Sequence, residues 1–431
     1  MPPQLSRKAI ARTAIVGVAA IVAGFGSYVL LVVVARGTAS TPAEYSNFAV
    51  FWSLTVTIGL GFFYPLEQET ARSIAGTKPV EGGRMARYVV TCGGALAVVT
   101  SILALVLLTP WGVSYIGEPG LVVALVLSFV GYAVQYPIRG LMSGSHRTTH
   151  YSAILAVEGA LRIGLPLGVL IVGIHSALPF AFVVPLAAAA SVLPVFIQRD
   201  RSWLRYDRVR PALFNSRLAR LVIAALSIQL ILNSGTLLAK ALGDPATDSL
   251  TGQILNCLSI ARVPVFAYQV VQILYLPRLA AQWKSNDVRG VKQTLMVAIG
   301  AALAIGVVLT VGMVWLGPWV LSLLFGSALV LSGQGILLVS LGVAVFLIAL
   351  VTSDGSLALG LHSLVIRSWA LGVVAAAVPV LLLHDDVARV TAPLIVGASV
   401  ALVQLAVGLG LRVSRTSHTA SPAANIASNE Y

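Results

Sequence analysis

Charge is scarce in this chain. Only 10% of its 431 residues are Asp, Glu, Lys or Arg, against about 25% in a soluble globular domain. With 58% hydrophobic residues, it has too little polar surface to fold as a water-soluble protein. Cysteine is nearly absent as well. Cys92 and Cys257 lie far apart inside apolar stretches, which excludes a disulfide framework or a thiolate metal set; both are read as small packing residues. Also missing are the G-x-x-x-x-G-K-[ST] nucleotide loop, the H-E-x-x-H metal helix and the G-x-S-x-G nucleophile elbow. The six His are scattered over loops and span ends. The chain is therefore expected not to be an enzyme, and no cofactor or metal is implied.

What is abundant is long apolar runs. A bilayer span needs about 20 such residues, and twelve runs qualify: 12–35, 45–65, 86–108, 120–142, 151–173, 177–197, 218–240, 250–276, 292–316, 331–352, 364–383 and 390–411. The first is longer than a signal-peptide core and is kept as a span. The expected fold is an all-α, multi-pass membrane protein. With the N-terminus placed in the cytoplasm, 23 of the 28 basic residues fall in cytoplasmic segments. Arg36, Lys240 and Arg389 fall outside, and Arg162 and Arg262 within spans. This asymmetry predicts that both termini are cytoplasmic. It also accounts for the net charge of +13 without a nucleic-acid partner.

The longest cytoplasmic segment divides the spans six and six. The expected layout is a first half over 1–198, a basic linker over 199–217, a second half over 218–412 and a disordered tail over 413–431. Seven Arg lie between positions 199 and 220, around "LRYDRVRP", a pattern suited to anionic lipid head groups; recruitment of a glycosyltransferase is a bolder reading. The halves share features in the same order: Arg36 with Lys240, Pro42 with Pro245, Pro65 with Pro277, Gly144 with Gly360, His146 with His362. An even number of spans per half makes this a parallel repeat, an arrangement found in transporters whose binding site lies between the repeats.

The stretch "LLVVVARGTASTPAEYSNFAVFWSLTVTIGLGFFYPLEQETARSIA" resembles the opening of polysaccharide flippases of the multidrug/oligosaccharidyl-lipid/polysaccharide exporter superfamily. "LSIARVPVFAYQVVQILYLPRLA" resembles their eighth helix. The resemblance spans about residues 10 to 412. It implies a bacterial plasma-membrane flippase that moves a polyprenyl diphosphate-linked oligosaccharide, a precursor of cell-surface polysaccharide, to the outer leaflet by alternating access. Implied partners are that glycan, membrane lipids, and glycosyltransferases or a polymerase of the same pathway. Drug exporters of the superfamily also have twelve spans, but they tend to carry an acidic residue in the first or second helix of a half. Here the first span has none, and Glu67 and Glu69 sit at the inner edge of the second.

Charge inside a bilayer is costly and usually faces a bundle interior or a water-filled cavity. Arg162 and Arg262 both fall near mid-depth of their spans. Placed on opposing halves, they are expected to form a cationic cavity for a diphosphate, which guanidinium binds bidentately. Glu158 stands four residues before Arg162 and can pair with it on one helix face, so a purely structural role is the competing reading. Pro264 is expected to free carbonyls that Arg262 can cap, a structural alternative there too. Gln269 and Gln272 share a helix face with Arg262, and Gln135 can contribute from the fourth span. Arg139 near the inner mouth, and Arg36 and Lys240 at the outer ends, are candidates for head-group entry and exit. Glu158 and Asp354 are candidate proton carriers. A membrane-embedded polymerase or glycosyltransferase is a further alternative, though the external loops are short. A scaffold without transport is another.

Overall fold

The computed structural model describes residues 7–38, 42–75, 77–78, 83–197, 202–207, 211–242 and 248–420. All regular structure among them is helical, and twelve helical stretches are long and apolar enough to cross a membrane. They match the twelve expected spans in number and order. The chain packs as two compact units, each built from several sequence segments.

Unit 1 holds Met1–Gln229, Thr236–Asn256 and Leu321–Val330. Its helices are α1 (Arg7–Gly37), α2 (Pro42–Ile58), α3 (Tyr64–Ile74), α4 (Met85–Leu105), α5 (Pro110–Ile116), α6 (Pro119–Gly144), α7 (Thr148–Ile171), α8 (Ala177–Ser191), α9 (Leu193–Phe196) and most of α10 (Pro211–Leu242). α6 is the hub, packed by α3, α4 and α8, while α1 lies along α7. Small residues permit that last approach: a Cβ on Gly26 would lie 2.5 Å from the Gly159 carbonyl oxygen, and one on Gly159 2.6 Å from that of Val22. Close backbone contact of this kind drives helix pairing where lipid is as apolar as the side chains.

The second span is not a plain α-helix. Between α2 and α3 the chain forms a π-helical stretch, Gly59–Phe63, closed by the Tyr64 N–H on the Gly59 carbonyl. Pro65 follows; it has no N–H to give, and its ring would collide with the carbonyl four residues back in an α-helix. The wider turn accommodates it. Shortly after it, Glu67 is buried at 4% exposure.

Within the stretch expected as a basic linker, the described residues 202–207 pack into unit 1. Trp203 and Tyr206 join a buried cluster with Met85, Val89, Leu141 and Phe214. The Met85 N–H donates to the Tyr206 carbonyl at 3.0 Å, and Arg147 Nη2 to Ser202 Oγ at 2.7 Å. α10 then starts at Pro211 rather than at 218, because Pro is well placed in a first helical turn. Arg199, Arg201, Arg208 and Arg210 lie outside the described residues.

Unit 2 holds Leu230–Gly235, Cys257–Val320 and Leu331–Tyr431. It contains the end of α11 (Asp248–Ala261), α12 (Val263–Lys284), most of α13 (Val288–Phe325), α14 (Gly333–Ala358), α15 (His362–Ala375), α16 (Ala377–Leu382) and α17 (Asp386–Ala420). The eighth span breaks at Arg262 (φ −83°, ψ 0°), two residues before Pro264, the residue expected to loosen the helix there. α17 runs through Ala420, past the expected start of a disordered tail at 413. Val413 is buried with Leu409 and Leu295, so apolar contact extends the helix; residues 421–431 lie outside the described ones.

The packings α3 on α6, α6 on α8 and α7 on α8 recur as α12 on α14, α14 on α17 and α15 on α17. The turns between equivalent helices also match. After α6, His146 and Arg147 donate to Ser143 and Met142; after α14, Gly360 and Leu361 donate to Leu357 and Ser356. Each turn has one left-handed residue, His146 (φ +58°) or Gly360 (φ +80°), as helix C-termini commonly do. Backbone geometry thus pairs His146 with Gly360, and the pairing of Gly144 with Gly360 is corrected by two residues. Matching like letters misses this because His can fill a left-handed position that more often takes Gly.

Candidate functional site

Four charged side chains converge inside unit 1. α6 carries Gln135 and Arg139, one turn apart on its face toward α3 and α7. α7 carries Glu158 and Arg162 at the same spacing, and α3 brings Glu67 inward below the π-helical stretch. Arg162 Nη2 lies 2.6 Å from Glu158 Oε1. Arg139 Nε lies 2.9 Å from Glu67 Oε2, and its Nη1 4.0 Å from Glu158 Oε2. Two acids and two bases make a network with no net charge.

Neutral donors complete it. Gln135 Nε2 donates to Glu158 Oε2 at 2.8 Å and to Ser191 Oγ of α8 at 2.9 Å. Tyr151 Oη donates to Glu67 Oε1 at 2.9 Å. Arg162 Nη1 donates to Ser27 Oγ of α1 at 2.7 Å. Arg139 stands 4.9 Å from the Tyr136 ring centre and Arg162 5.8 Å from that of Trp52, close enough for cation–π attraction. Arg162 Nε and Gln135 Oε1 have no hydrogen-bond partner among the described residues. The network can hold an anion by its guanidinium N–H groups, or carry a proton on a carboxylate.

Unit 2 has a smaller polar centre. Asp354 of α14 accepts hydrogen bonds from Tyr268 Oη at 2.8 Å and Gln272 Nε2 at 2.7 Å, both on α12. Arg262 stands at the α11–α12 break, 8% exposed, 6.0 Å from the Phe266 ring centre. Its Nε is unbonded. Of the two arginines that the sequence placed within spans, Arg162 is ion-paired and Arg262 has no acidic partner among the described residues.

The structure therefore brings Gln135, Arg139, Glu158 and Arg162 into one cluster in unit 1. Gln272 and Arg262 belong to unit 2. The Gln269 side chain lies outside the described residues. Lys240 is partly buried in the last turn of α10. Arg36 caps a helix: its Nε and Nη2 donate to the Leu324 and Ser322 carbonyls at 3.0 and 3.2 Å, with Leu323 a third acceptor, all in the last turn of α13. Its neighbours in the same motif have similar tasks. Glu44 accepts the Ala177 N–H at the start of α8 at 2.9 Å, and Tyr45 Oη donates to Asn256 Oδ1. Sequence reasoning left Glu67 at the membrane edge and did not select Tyr151, Ser27 or Ser191. One available signal was charge balance: Glu67 and Glu158 match Arg139 and Arg162 within the spans of the first half.

No family model matches the chain. Two uncharacterized proteins from two strains of Mycobacterium tuberculosis are each 24% identical over 411 residues, covering 92% of this chain and 90% of their own. Among solved structures, the inward-facing conformation of a multidrug resistance MATE family transporter of the MOP superfamily aligns with a TM-score of 0.72. That match has 14% identity and covers 92% of this chain and 96% of the other. A mutant form of a Vibrio cholerae MATE transporter aligns with a TM-score of 0.59 at 13% identity, over 94% of this chain and 98% of its own. The chain has the fold of MATE transporters of the MOP superfamily.

Proposed function

We propose that this protein is a plasma-membrane transporter that flips a polyprenyl diphosphate-linked oligosaccharide to the outer leaflet by alternating access. The observation that carries this reading is the pair of guanidinium groups, Arg139 and Arg162, held together inside unit 1 with Tyr136 and Trp52 beside them. Guanidinium matches phosphate oxygens in shape and charge, while the aromatic faces suit a sugar ring. The polyprenyl tail stays in lipid, and Arg262, taken within unit 2 alone, is a separate guanidinium suited to phosphate. Enzymes of the polysaccharide pathway on either side of the membrane are the partners this activity requires.

A second reading is export of a drug-like molecule. The structural neighbour with the TM-score of 0.72 is a multidrug resistance transporter, which favours this reading, as does the neutrality of the unit 1 network. Proteoliposomes loaded with a fluorescent lipid-linked oligosaccharide discriminate the two. Flipping is expected with the intact chain, and loss of flipping with normal insertion in Arg262→Ala. Export of cationic dyes without glycan flipping would establish the second reading instead.

A further inference from the structure

Building on the flippase reading, we propose that the anionic head group binds the unit 1 network by displacing Glu158 from Arg162, and that each head group bound takes up one proton. Arg162 Nε is unbonded, but the neighbouring Nη2 that a bidentate contact also needs is held by Glu158. Glu158 Oε1 holds Arg162 Nη2, and its Oε2 holds Gln135 Nε2 with Arg139 Nη1 at 4.0 Å. A diphosphate needs those same N–H groups, since a bidentate phosphate contact takes two donors from one guanidinium. The arginines are also the accessible side: their side chains are 12% and 13% exposed, against 6% for each glutamate.

Consider what remains when phosphate oxygens take the guanidinium. Glu158 then faces Gln135 of α6, with the phenols of Tyr132 and Tyr136 within electrostatic range on the same helix. From α3 it faces Glu67, itself held by Arg139 and Tyr151. Among the described residues, the elements behind these add the neutral groups Ser191 of α8, Ser27 of α1 and Trp52 of α2. Its one nearby cation is Arg139, already shared with Glu67 and now also drawn to the ligand. A buried carboxylate without its partner is strongly disfavoured and neutralises by protonation. The proton comes from water and ends on the Glu158 carboxylate; no other reactant is needed. Binding should then tighten as pH falls, by at most about tenfold per pH unit while one proton is linked.

The test uses the purified full chain in nanodiscs with farnesyl diphosphate as probe. Titration calorimetry in two buffers of different ionisation enthalpy counts protons. We expect about one proton taken up per diphosphate by the wild type. For Glu158→Gln we expect uptake near zero, a flat pH profile and about tenfold tighter binding at alkaline pH. Wild-type binding without proton uptake overturns the inference and leaves the flippase reading in place; that count needs no variant to fold. Undiminished uptake by Glu158→Gln also overturns it. If the wild type does not bind the diphosphate, the inference falls, and the fate of the flippase reading is read separately from glycan flipping.

Discussion

At the scale of single residues, unit 1 keeps buried charge by pairing it, Glu158 with Arg162 and Glu67 with Arg139. Removing one member of a buried ion pair leaves the other uncompensated, at a cost of about 3–5 kcal/mol, whereas replacing both by neutral groups is often tolerated. Arg162→Ala, which strands Glu158, should therefore lower the thermal unfolding temperature in detergent sharply. The double variant Glu158→Gln with Arg162→Gln should recover most of the loss. If the double variant is no more stable than Arg162→Ala, an uncompensated Glu158 is not the source of the loss. The sequence already pointed to this pair through its i, i+4 spacing. It did not point to Glu67, because inward aim there depends on the π-helical turn at Gly59–Phe63, a backbone feature with no residue code beyond a Gly-rich stretch before Pro65. Nor does spacing along one helix say which other helix supplies Ser27 or Ser191.

Among helices and turns, hydropathy alone located twelve spans, since length and composition decide bilayer crossing. It could not locate the break at Arg262, which needs Pro264 to be weighed against a long apolar run, or the extension of α17, which depends on Val413 finding a core. The motif around Arg36 carries a further lesson. Arg36, Glu44 and Tyr45 belong to the very motif that suggested a glycan flippase, yet each is engaged with another helix: the last turn of α13, the first of α8, and Asn256 of α11. That part of the resemblance reads fold more directly than substrate. A cation on a helix C-terminus contributes about 0.3–2 kcal/mol. Arg36→Ala should therefore lower thermal stability by a few degrees, and Arg36→Lys by less, because Lys keeps the charge but loses the fork of donors. Equal losses would mean that the charge is irrelevant and only the donor geometry counts.

On the scale of the whole molecule, unit 1 does not end where the first six spans end. Its core includes Trp203, Tyr206 and Phe214, and its contacts reach Asn256 and Ser322. Residues 1–210 produced alone should be degraded in the membrane, and coexpression of 211–431 should restore a stable complex detectable by copurification. Stable accumulation of 1–210 alone would refute this. Sequence repeats record ancestry of segments, whereas packing records which segments share a core. The Arg36 cap has a temporal consequence. Its acceptor at Ser322 lies 286 positions later. At about 5–20 residues per second of synthesis, Arg36 waits roughly 15–60 s on the ribosome's clock before its partner exists. During that interval the C-terminal end of α1 lacks this contact and relies on the helices already made. Closure of unit 1 is thus a late event of biogenesis, set by emergence of the ninth span rather than by completion of the first half.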